Sequence, residues 1–391
     1  MNGTLKRLLA GITGFAVLGV VVLVGGFVPI KASSGHWAIT AWLLDFASDR
    51  SIAFHSNGIE VPPLDEPGMV ALGAGIFHNN CQFCHGKPTQ VQPPVAQGMT
   101  PTPPLLRETL SSMNDQELFY ILKHGIKFAG MPAWPARNRD DEIWPVVAFL
   151  NQLPTMAAEA YRERIRIDDA TLTDSITHEV AEHCASCHGI DGNVSVNRRV
   201  PVLSAQNRAY LAASLRGYRN MTRHSGVMMQ VAYDLSEAQI DDLANYFAEQ
   251  TRAESSGDDP QPLDLIQLGE RLANHGDAAK KIPSCVDCHG PAPWLRDEHY
   301  PRLAGQPAWY IVRQLELFSE QDRGGDEAEI MHTVADKLDD ESRRALAAYY
   351  ANTPLFHSAE PDATTEPAEQ PASDSATDPR REPERGTIDE D

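Results

Sequence analysis

The chain has 391 residues and a formal net charge of −21. That length suits two or three domains of roughly 100 to 200 residues each. The acidic balance argues against nucleic acid as a partner, because phosphate backbones are bound by clustered Lys and Arg side chains.

An uncharged run of 23 residues, Leu8 to Ile30, follows Lys6 and Arg7 near the N-terminus. A helix of that length can cross a hydrocarbon core of ~30 Å. With two basic residues before it and most of the chain after it, the positive-inside rule predicts a single-pass anchor with the N-terminus in the cytoplasm and everything after Lys31 outside. The alternative is a cleaved signal peptide, whose apolar region normally has ~7–15 residues. Both place the cysteines outside the cytoplasm.

A juxtamembrane segment follows, in which Gly35 to Phe54 contains Trp37, Trp42 and Phe46. This stretch predicts a helix that either rests on the membrane surface or packs as an ordinary helix.

All six cysteines belong to three copies of one motif, CxxCH, whose first cysteines lie 103 and 101 residues apart. Such spacing indicates a repeat at the scale of small domains.

A tail from Glu360 to Asp391 has eleven acidic and three basic residues and is rich in Pro, Ser, Thr and Ala, which predicts disorder. The predicted order is an anchor (1–31), a juxtamembrane segment (32–65), three domains (66–155, 170–252 and 260–355) and a disordered acidic tail (356–391).

Each motif is preceded and followed by a helical pattern. The preceding helices are predicted over 70–80, 176–183 and 263–274, and the closing helices over 141–153, 235–250 and 338–353. Ser236 is placed to cap the second closing helix. Pro145 is expected near the first turn of the first closing helix, where its missing N–H is tolerated. The overall prediction is an all-α protein.

Several functions fit paired cysteines, but one explains the attached histidine. A disulfide framework does not require histidine at one offset three times. Three CxxC pairs do not pair off into zinc sites, and a thioredoxin-like dithiol needs only one. CxxCH is the attachment sequence of c-type heme, in which two thiols form thioethers and the next histidine binds iron. The predicted cofactor is three covalently bound heme c groups, held by Cys81, Cys84, His85, Cys184, Cys187, His188, Cys285, Cys288 and His289.

The sixth iron ligand is predicted to be a methionine. Met331 is the one methionine of the third domain, and it stands seven residues before the start of the closing helix. Met228 has the same offset in the second domain, which favours it over Met229. Met131, just before the first closing helix, completes the set. The predicted ligand pairs are His85 with Met131, His188 with Met228, and His289 with Met331.

Proline recurs between histidine and methionine, at Pro103-Pro-Leu105, Pro201-Val-Leu203 and Pro301-Arg-Leu303. A backbone carbonyl there is expected to accept the ligand histidine's ring N–H, a contact that fixes the tautomer and the ring orientation.

On these residues the chain from about Val70 to Ala351 resembles the class I cytochromes c. CASCHGIDGN with MMQVAYDLSEAQIDDLANYF, and IPSCVDCHG with YPRLAGQPAWYIVRQLELF, resemble the two-domain diheme bacterial cytochromes; GIKFAGMPAW resembles a monoheme unit fused in front. The resemblance implies crossed terminal helices in each domain and two hemes that approach across the interface of domains two and three. The second domain departs by reading LSAQ where the third reads LAGQ.

Histidine and methionine together close the iron to substrates, which suits electron transfer rather than bond chemistry. The sequence therefore predicts a membrane-anchored triheme electron carrier of a respiratory chain, not an enzyme. It would link a quinol-oxidising complex or dehydrogenase to a terminal oxidase or soluble carrier. One alternative is the cytochrome subunit of a membrane-bound dehydrogenase complex, although such subunits usually read CxACHT. Another is a heme enzyme such as a peroxidase, which needs an open iron.

Overall fold

The structure is a computed structural model that describes residues 3–28, 30–88, 90–165, 175–193, 195–252, 260–290, 297–325 and 328–354. The predicted all-α class is confirmed: these residues form helices, turns and four isolated β-bridges, and no strand occurs among them. The described residues belong to one compact unit. The predicted acidic tail lies outside the described residues.

The helices match the periodic patterns of the sequence within about two residues. Each predicted helix before a motif and each predicted closing helix is present. In chain order the α-helices are α1 (Gly3–Val24), α2 (Ala38–His55), α3 (Met69–Asn80), α4 (Gln82–His85), α5 (Pro94–Gln97), α6 (Leu106–Thr109), α7 (Asp115–His124), α8 (Asp140–Gln152), α9 (Ala158–Ile165), α10 (Ser175–His183), α11 (Ala185–His188), α12 (Arg208–Arg219), α13 (Met228–Ala232), α14 (Glu237–Glu249), α15 (Leu263–His275), α16 (Val286–His289), α17 (Ala308–Ser319), α18 (Ala328–Ala335) and α19 (Asp340–Asn352). Short 3-10 helices span Ala32–Ser34, Leu110–Ser112 and Leu153–Thr155.

Helix α1 is exposed along its whole length. By length and composition it is able to cross a membrane, a test that a signal sequence also passes. Helix α2 is only partly packed: it contacts α7, and His55 stacks on Tyr120 with ring centroids 5.9 Å apart. None of its residues is buried, and Trp37, Trp42 and Phe46 are exposed.

After α2 the chain is described as three segments with one CxxCH motif each: segment 1 (66–165), segment 2 (175–252) and segment 3 (260–354). In each, the helix before the motif packs against the closing helix: α3 on α8, α10 on α14 and α15 on α19. Glycine permits the close crossing in segments 1 and 3. A Cβ on Gly73 would lie 1.9 Å from the Pro145 carbonyl oxygen, and one on Gly269 would lie 1.9 Å from that of Ala345.

The buried apolar side chains among the described residues form three clusters, one centred in each segment. Segment 1 extends beyond the predicted boundary at 155, because α9 packs back on α3. Tyr161 of α9 is fully buried in cluster 1, and its hydroxyl lies 3.2 Å from His78 Nδ1. Residues 253–259, between the second and third predicted domains, lie outside the described residues.

Of two sequence-based predictions for the closing helices, the Ser236 cap is confirmed and the position of Pro145 is wrong. Ser236 caps α14 as predicted: its Oγ accepts from Gln239 N, and the Gln239 side chain accepts from Ser236 N at 3.0 Å. Pro145 lies deeper than predicted, as the sixth residue of α8 rather than in its first turn. The helix continues through it, with every residue from Glu142 to Leu150 buried, so tertiary packing outweighs the lost backbone hydrogen bond.

Candidate functional site

Each CxxCH motif forms a single helical turn, α4, α11 or α16, that begins after the first cysteine and ends at the histidine. The glycine that follows stops the turn. Gly86, Gly189 and Gly290 have φ of 70°, 74° and 87°, a left-handed conformation that glycine adopts without a Cβ clash. The turn brings both cysteines and the histidine of each motif to one place on the chain.

A proline carbonyl faces the ring of each motif histidine. Nδ1 lies 3.0 Å from Pro104 O in His85, 2.9 Å from Pro201 O in His188, and 3.1 Å from Pro301 O in His289. Because a carbonyl only accepts, Nδ1 must carry the proton, and this leaves the Nε2 lone pair for a metal. The predicted contact is therefore present in all three segments.

In segment 1 the acceptor is the second proline, Pro104, one residue beyond the position that Pro201 and Pro301 suggest. The carbonyl of Pro103 instead accepts from Gln92 Nε2 at 3.0 Å. The doubled proline thus divides two hydrogen bonds between adjacent carbonyls.

Burial favours the neutral form of two motif histidines and two motif thiols. It lowers the pKa of His85 and His188, against the raising effect of their proline carbonyls. It also raises the pKa of Cys81 and Cys184 to about 12. Among the described residues, no group of three or more His, Cys, Asp or Glu side chains is arranged to bind a metal ion, so the zinc alternative has no donor cluster there.

The predicted residues of segments 2 and 3 line one continuous cavity of about 770 Å³. Both motifs and both proposed methionines reach it: its walls include Cys184, Cys187, His188, Met228, Cys285, Cys288, His289 and Met331. Cys81, Cys84, His85 and Met131 do not line this cavity. Cys81 and Met131 both pack against cluster 1.

Two buried arginines that the sequence analysis missed also line this cavity. Arg223 and Arg323 form an antiparallel bridge between segments 2 and 3. Arg223 Nη2 donates to Tyr310 Oη at 3.0 Å, and Arg323 Nη2 donates to Tyr210 Oη at 2.9 Å. Burial raises the pKa of the Tyr210 phenol, but the two guanidiniums outweigh burial and lower that pKa to about 7. The described partners of both arginines include no carboxylate, so these two guanidiniums on the cavity wall suit the acidic groups of a cofactor.

A sequence signal existed for this pair. The two arginines are 100 residues apart, and so are Tyr210 and Tyr310. The repeat thus extends to the polar residues of the segment interface, which the motif spacing alone did not identify.

Comparison with known proteins places these features in a family. Residues 68–150 match the family described as cytochrome c oxidase, cbb3-type, subunit III, and residues 178–250 match the family described as cytochrome c. A thiosulfate dehydrogenase electron acceptor from Thiomonas intermedia is 37% identical over 177 residues, which are 45% of this chain and 80% of that protein. The chain belongs to the cytochrome c family. It is therefore an electron-transfer protein that carries heme c.

Two further similar proteins are both named cytochrome c4. Cytochrome c4 from Pseudomonas aeruginosa is 32% identical over 168 residues, which are 42% of this cytochrome and 81% of that protein. The solved structure of reduced recombinant cytochrome c4 from Pseudomonas stutzeri is 30% identical, covers 46% of this chain and 96% of that chain, and has a TM-score of 0.41.

The two adjacent methionines of segment 2 face different surroundings in this cytochrome. Met228 lines the cavity that His188 also lines. Met229 packs instead against cluster 1, in segment 1. This geometry favours Met228 as the ligand, as the offset from the closing helix predicted.

In segment 3, His332 directly follows the proposed ligand Met331 in the sequence. Its Nε2 lies 2.7 Å from the Arg323 carbonyl oxygen. That hydrogen bond gives His332 a structural role and leaves Met331 as the ligand candidate in this segment.

Proposed function

We propose that this cytochrome is a membrane-anchored triheme electron carrier on the periplasmic side of a bacterial cytoplasmic membrane. The observation that carries the proposal is the threefold recurrence of one arrangement. Each CxxCH turn places a histidine Nδ1 between 2.9 and 3.1 Å from a proline carbonyl. A single copy would suffice for one heme; three copies support three.

The donor groups suit heme c in type and position. The thiols of each motif would form the two thioethers, and His85, His188 and His289 would bind iron through Nε2. Met131, Met228 and Met331 are proposed as the sixth ligands. Arg223 and Arg323 would face the carboxylates that heme carries. When bound, heme c supplies a one-electron couple, and His/Met ligation sets it at a higher potential than more basic ligands do.

The shared cavity suggests how electrons move within the chain. Because the motif residues of segments 2 and 3 line one space, the two hemes held there would exchange electrons directly. Segment 1 would add a third heme next to this pair, since its helix α3 touches the second motif: a Cβ on Gly75 would lie 3.1 Å from Cys187 Sγ.

Membrane attachment is supported by α1 and α2 together. Helix α1 has the length and hydropathy of a membrane span. Helix α2 exposes Trp37, Trp42 and Phe46, side chains that favour the membrane interface. The signal-peptide alternative explains α1 but leaves this exposed aromatic surface without a partner of its own.

The proposed electron donor is a dehydrogenase or a quinol-oxidising complex, and the proposed acceptor is a terminal oxidase or a soluble carrier. The similarity to a thiosulfate dehydrogenase electron acceptor favours a dehydrogenase as donor. It equally motivates a second candidate, in which the chain is the cytochrome subunit of a membrane-bound dehydrogenase complex. A peroxidase-type enzyme is disfavoured, because each segment offers a methionine to close its iron.

Heme counting tests the proposal. The chain should be purified from a bacterial host that attaches heme c in its periplasm. Intact-protein mass spectrometry is then expected to give three covalent hemes. Cys84→Ser, Cys187→Ser and Cys288→Ser are each expected to weaken attachment at one site only. Fewer than three hemes in the wild type would contradict the triheme proposal. Release of the heme-bearing chain from membranes by alkaline carbonate would contradict the anchor, and a stably co-purifying dehydrogenase would favour the second candidate.

A further inference from the structure

A buried carboxylate of segment 1 contacts the chain just before Met228. Glu142, in α8, is only 8% exposed. Its Oε1 accepts from Ser225 Oγ at 2.5 Å and pairs with Arg139 Nη2 at 2.9 Å. Its Oε2 accepts from Gly226 N at 2.7 Å and from Trp134 Nε1 at 3.1 Å. Two of these four donors belong to the segment 2 loop that carries Met228.

The Ser225 hydroxyl connects this carboxylate to the backbone of the proposed ligand. It donates its single proton to Glu142 and accepts from Met228 N at 3.0 Å. A hydroxyl has one donor and two acceptor positions, so the carboxylate fixes which way it points. The result is a continuous hydrogen-bonded chain from Glu142 Oε1 through Ser225 Oγ to the Met228 amide.

Packing encloses the same loop from segment 1. Gly226 lies so close to Trp134 that an added Cβ would be 2.1 Å from Trp134 Nε1. Asn80 Nδ2 donates to Gly226 O at 3.2 Å. Both polar backbone groups of Gly226 are thus held by segment 1, two residues before Met228.

The counter-charge of Glu142 lies within the contact. Burial raises the pKa of its carboxyl, as does the neighbouring Asp141, and the Arg139 guanidinium, which pairs with both carboxylates, opposes that shift. All four of its partners are donors, an arrangement that only the ionised carboxylate satisfies completely. Arg139 also bonds to the His224 carbonyl oxygen at 3.1 Å, so the counter-charge touches the same loop.

We propose that Glu142 is a positioning residue for the iron of the second heme, acting from segment 1 through Ser225 to hold Met228 in ligating position. The inference rests on the proposed His188 and Met228 ligation. If it holds, the contact between segments 1 and 2 helps to keep the methionine on the iron of the heme attached to segment 2. The reduction potential of that heme would then depend on segment 1.

The test follows the far-red methionine-to-iron charge-transfer band of the oxidised full chain as pH is raised. Methionine ligation is lost on the alkaline side, so the pH of loss measures how firmly each methionine is held. Glu142→Gln and Ser225→Ala are expected to lower that pH for one third of the band by about one unit or more, because losing a charge-assisted hydrogen bond changes an equilibrium about tenfold or more. Ser225→Thr keeps the hydroxyl and is expected to restore wild-type behaviour.

The matched control is Asn138→Ala. Asn138 lies in the same stretch of segment 1 but contacts Asp322 of segment 3. Asn138→Ala is expected to leave the whole titration unchanged.

Two results would overturn the inference: wild-type titrations in both Glu142→Gln and Ser225→Ala, or an equal shift in Asn138→Ala. If Glu142→Gln does not fold, the comparison of Ser225→Ala with Ser225→Thr decides the question alone. The wild-type spectrum separates this inference from its premise, because a wild-type band lacking one third of its intensity at neutral pH would contradict the proposed ligation itself.

Discussion

Gln206 and Gln306 stand 100 residues apart and make the same pair of contacts in opposite directions. The Gln206 side chain donates to Arg302 O at 3.0 Å and accepts from Arg302 N at 2.7 Å. The Gln306 side chain donates to Val202 O at 2.8 Å and accepts from Val202 N at 3.0 Å. Segments 2 and 3 therefore meet as two subunits of a symmetric dimer do, with one surface used twice.

Truncating either glutamine is expected to weaken this contact. Gln206→Ala or Gln306→Ala removes two hydrogen bonds to the backbone of the other segment in a partly buried contact, at a cost of roughly 1 kcal/mol for each bond. Denaturant unfolding followed by circular dichroism measures the loss. The control is Gln267→Ala, on the exposed face of α15, which should stay within about 0.5 kcal/mol of wild type. Equal stability of all three variants would contradict the expected role of the glutamines.

Ala205 precedes Gln206 and has a φ of 54°, whereas the equivalent residue, Gly305, has a φ of 68°. The two loops share one left-handed geometry, which costs alanine about 1–2 kcal/mol and glycine nothing. Ala205→Gly should therefore raise the free energy of unfolding, by roughly 0.5 kcal/mol after the greater chain entropy of glycine is allowed for. Gly305→Ala should lower it. A destabilised Ala205→Gly variant would show that the alanine methyl group is needed for packing.

Glu66 links segment 1 to segment 2 by ion pairs with Arg199 and, at 2.9 Å, Arg198. Burial raises the pKa of Glu66, but Arg199 and Arg198 outweigh burial and lower that pKa below its ordinary value of 4.5. The ion pairs therefore stabilise the fold fully above the pKa that Glu66 has in the unfolded chain. This stabilisation is lost as the pH falls through the lower pKa of the folded protein. Glu66→Gln should cost roughly 1 kcal/mol at neutral pH.

The comparison of wild type and Glu66→Gln across pH checks this sign. Their difference in unfolding free energy should be constant above about pH 5 and shrink in more acidic solution. Glu159→Gln, which removes an exposed ion pair with Arg162, serves as the control and should change stability little. A difference that grows on acidification would contradict the assignment.

The exposed aromatics of α2 give a test of membrane contact. With the full chain reconstituted in vesicles of brominated phosphatidylcholine, Trp37 and Trp42 should be quenched because they would lie at acyl-chain depth. The doubly substituted Trp37→Phe, Trp42→Phe variant should lose the quenchable part of the fluorescence, while the buried Trp144 remains unquenched. Equal fractional quenching in both proteins would place α2 away from the bilayer.

Much of the helical structure could be predicted because its signals are local. Apolar periodicity placed α3, α8, α14, α15 and α19, and the Ser236 cap is a contact over three residues. Pro145 was misplaced because sequence alone does not show how strongly burial stabilises a helix against a proline. Likewise α9 was left outside the predicted domains, since only the folded structure shows Tyr161 packing in cluster 1.

The residues of the candidate site were likewise predictable only where their sequence signals are local. The cysteines and histidines follow fixed offsets within each motif, and a proline recurs between each histidine and methionine, so these residues were visible in the sequence. Glu142 was not, because its partners Ser225 and Gly226 lie more than 80 residues away in another segment. An acidic residue at the start of an amphipathic helix is ordinarily solvated, and only tertiary packing distinguishes this one.

The triheme proposal requires three irons, each bound by one histidine and one methionine. The far-red charge-transfer band of the oxidised protein at neutral pH, calibrated against total heme by the pyridine hemochrome method, tests this requirement. We expect three covalent hemes per chain and a band intensity that matches three His/Met irons. An intensity that matches only two would contradict it and would identify one iron with a different ligand, where a catalytic role would then have to be sought.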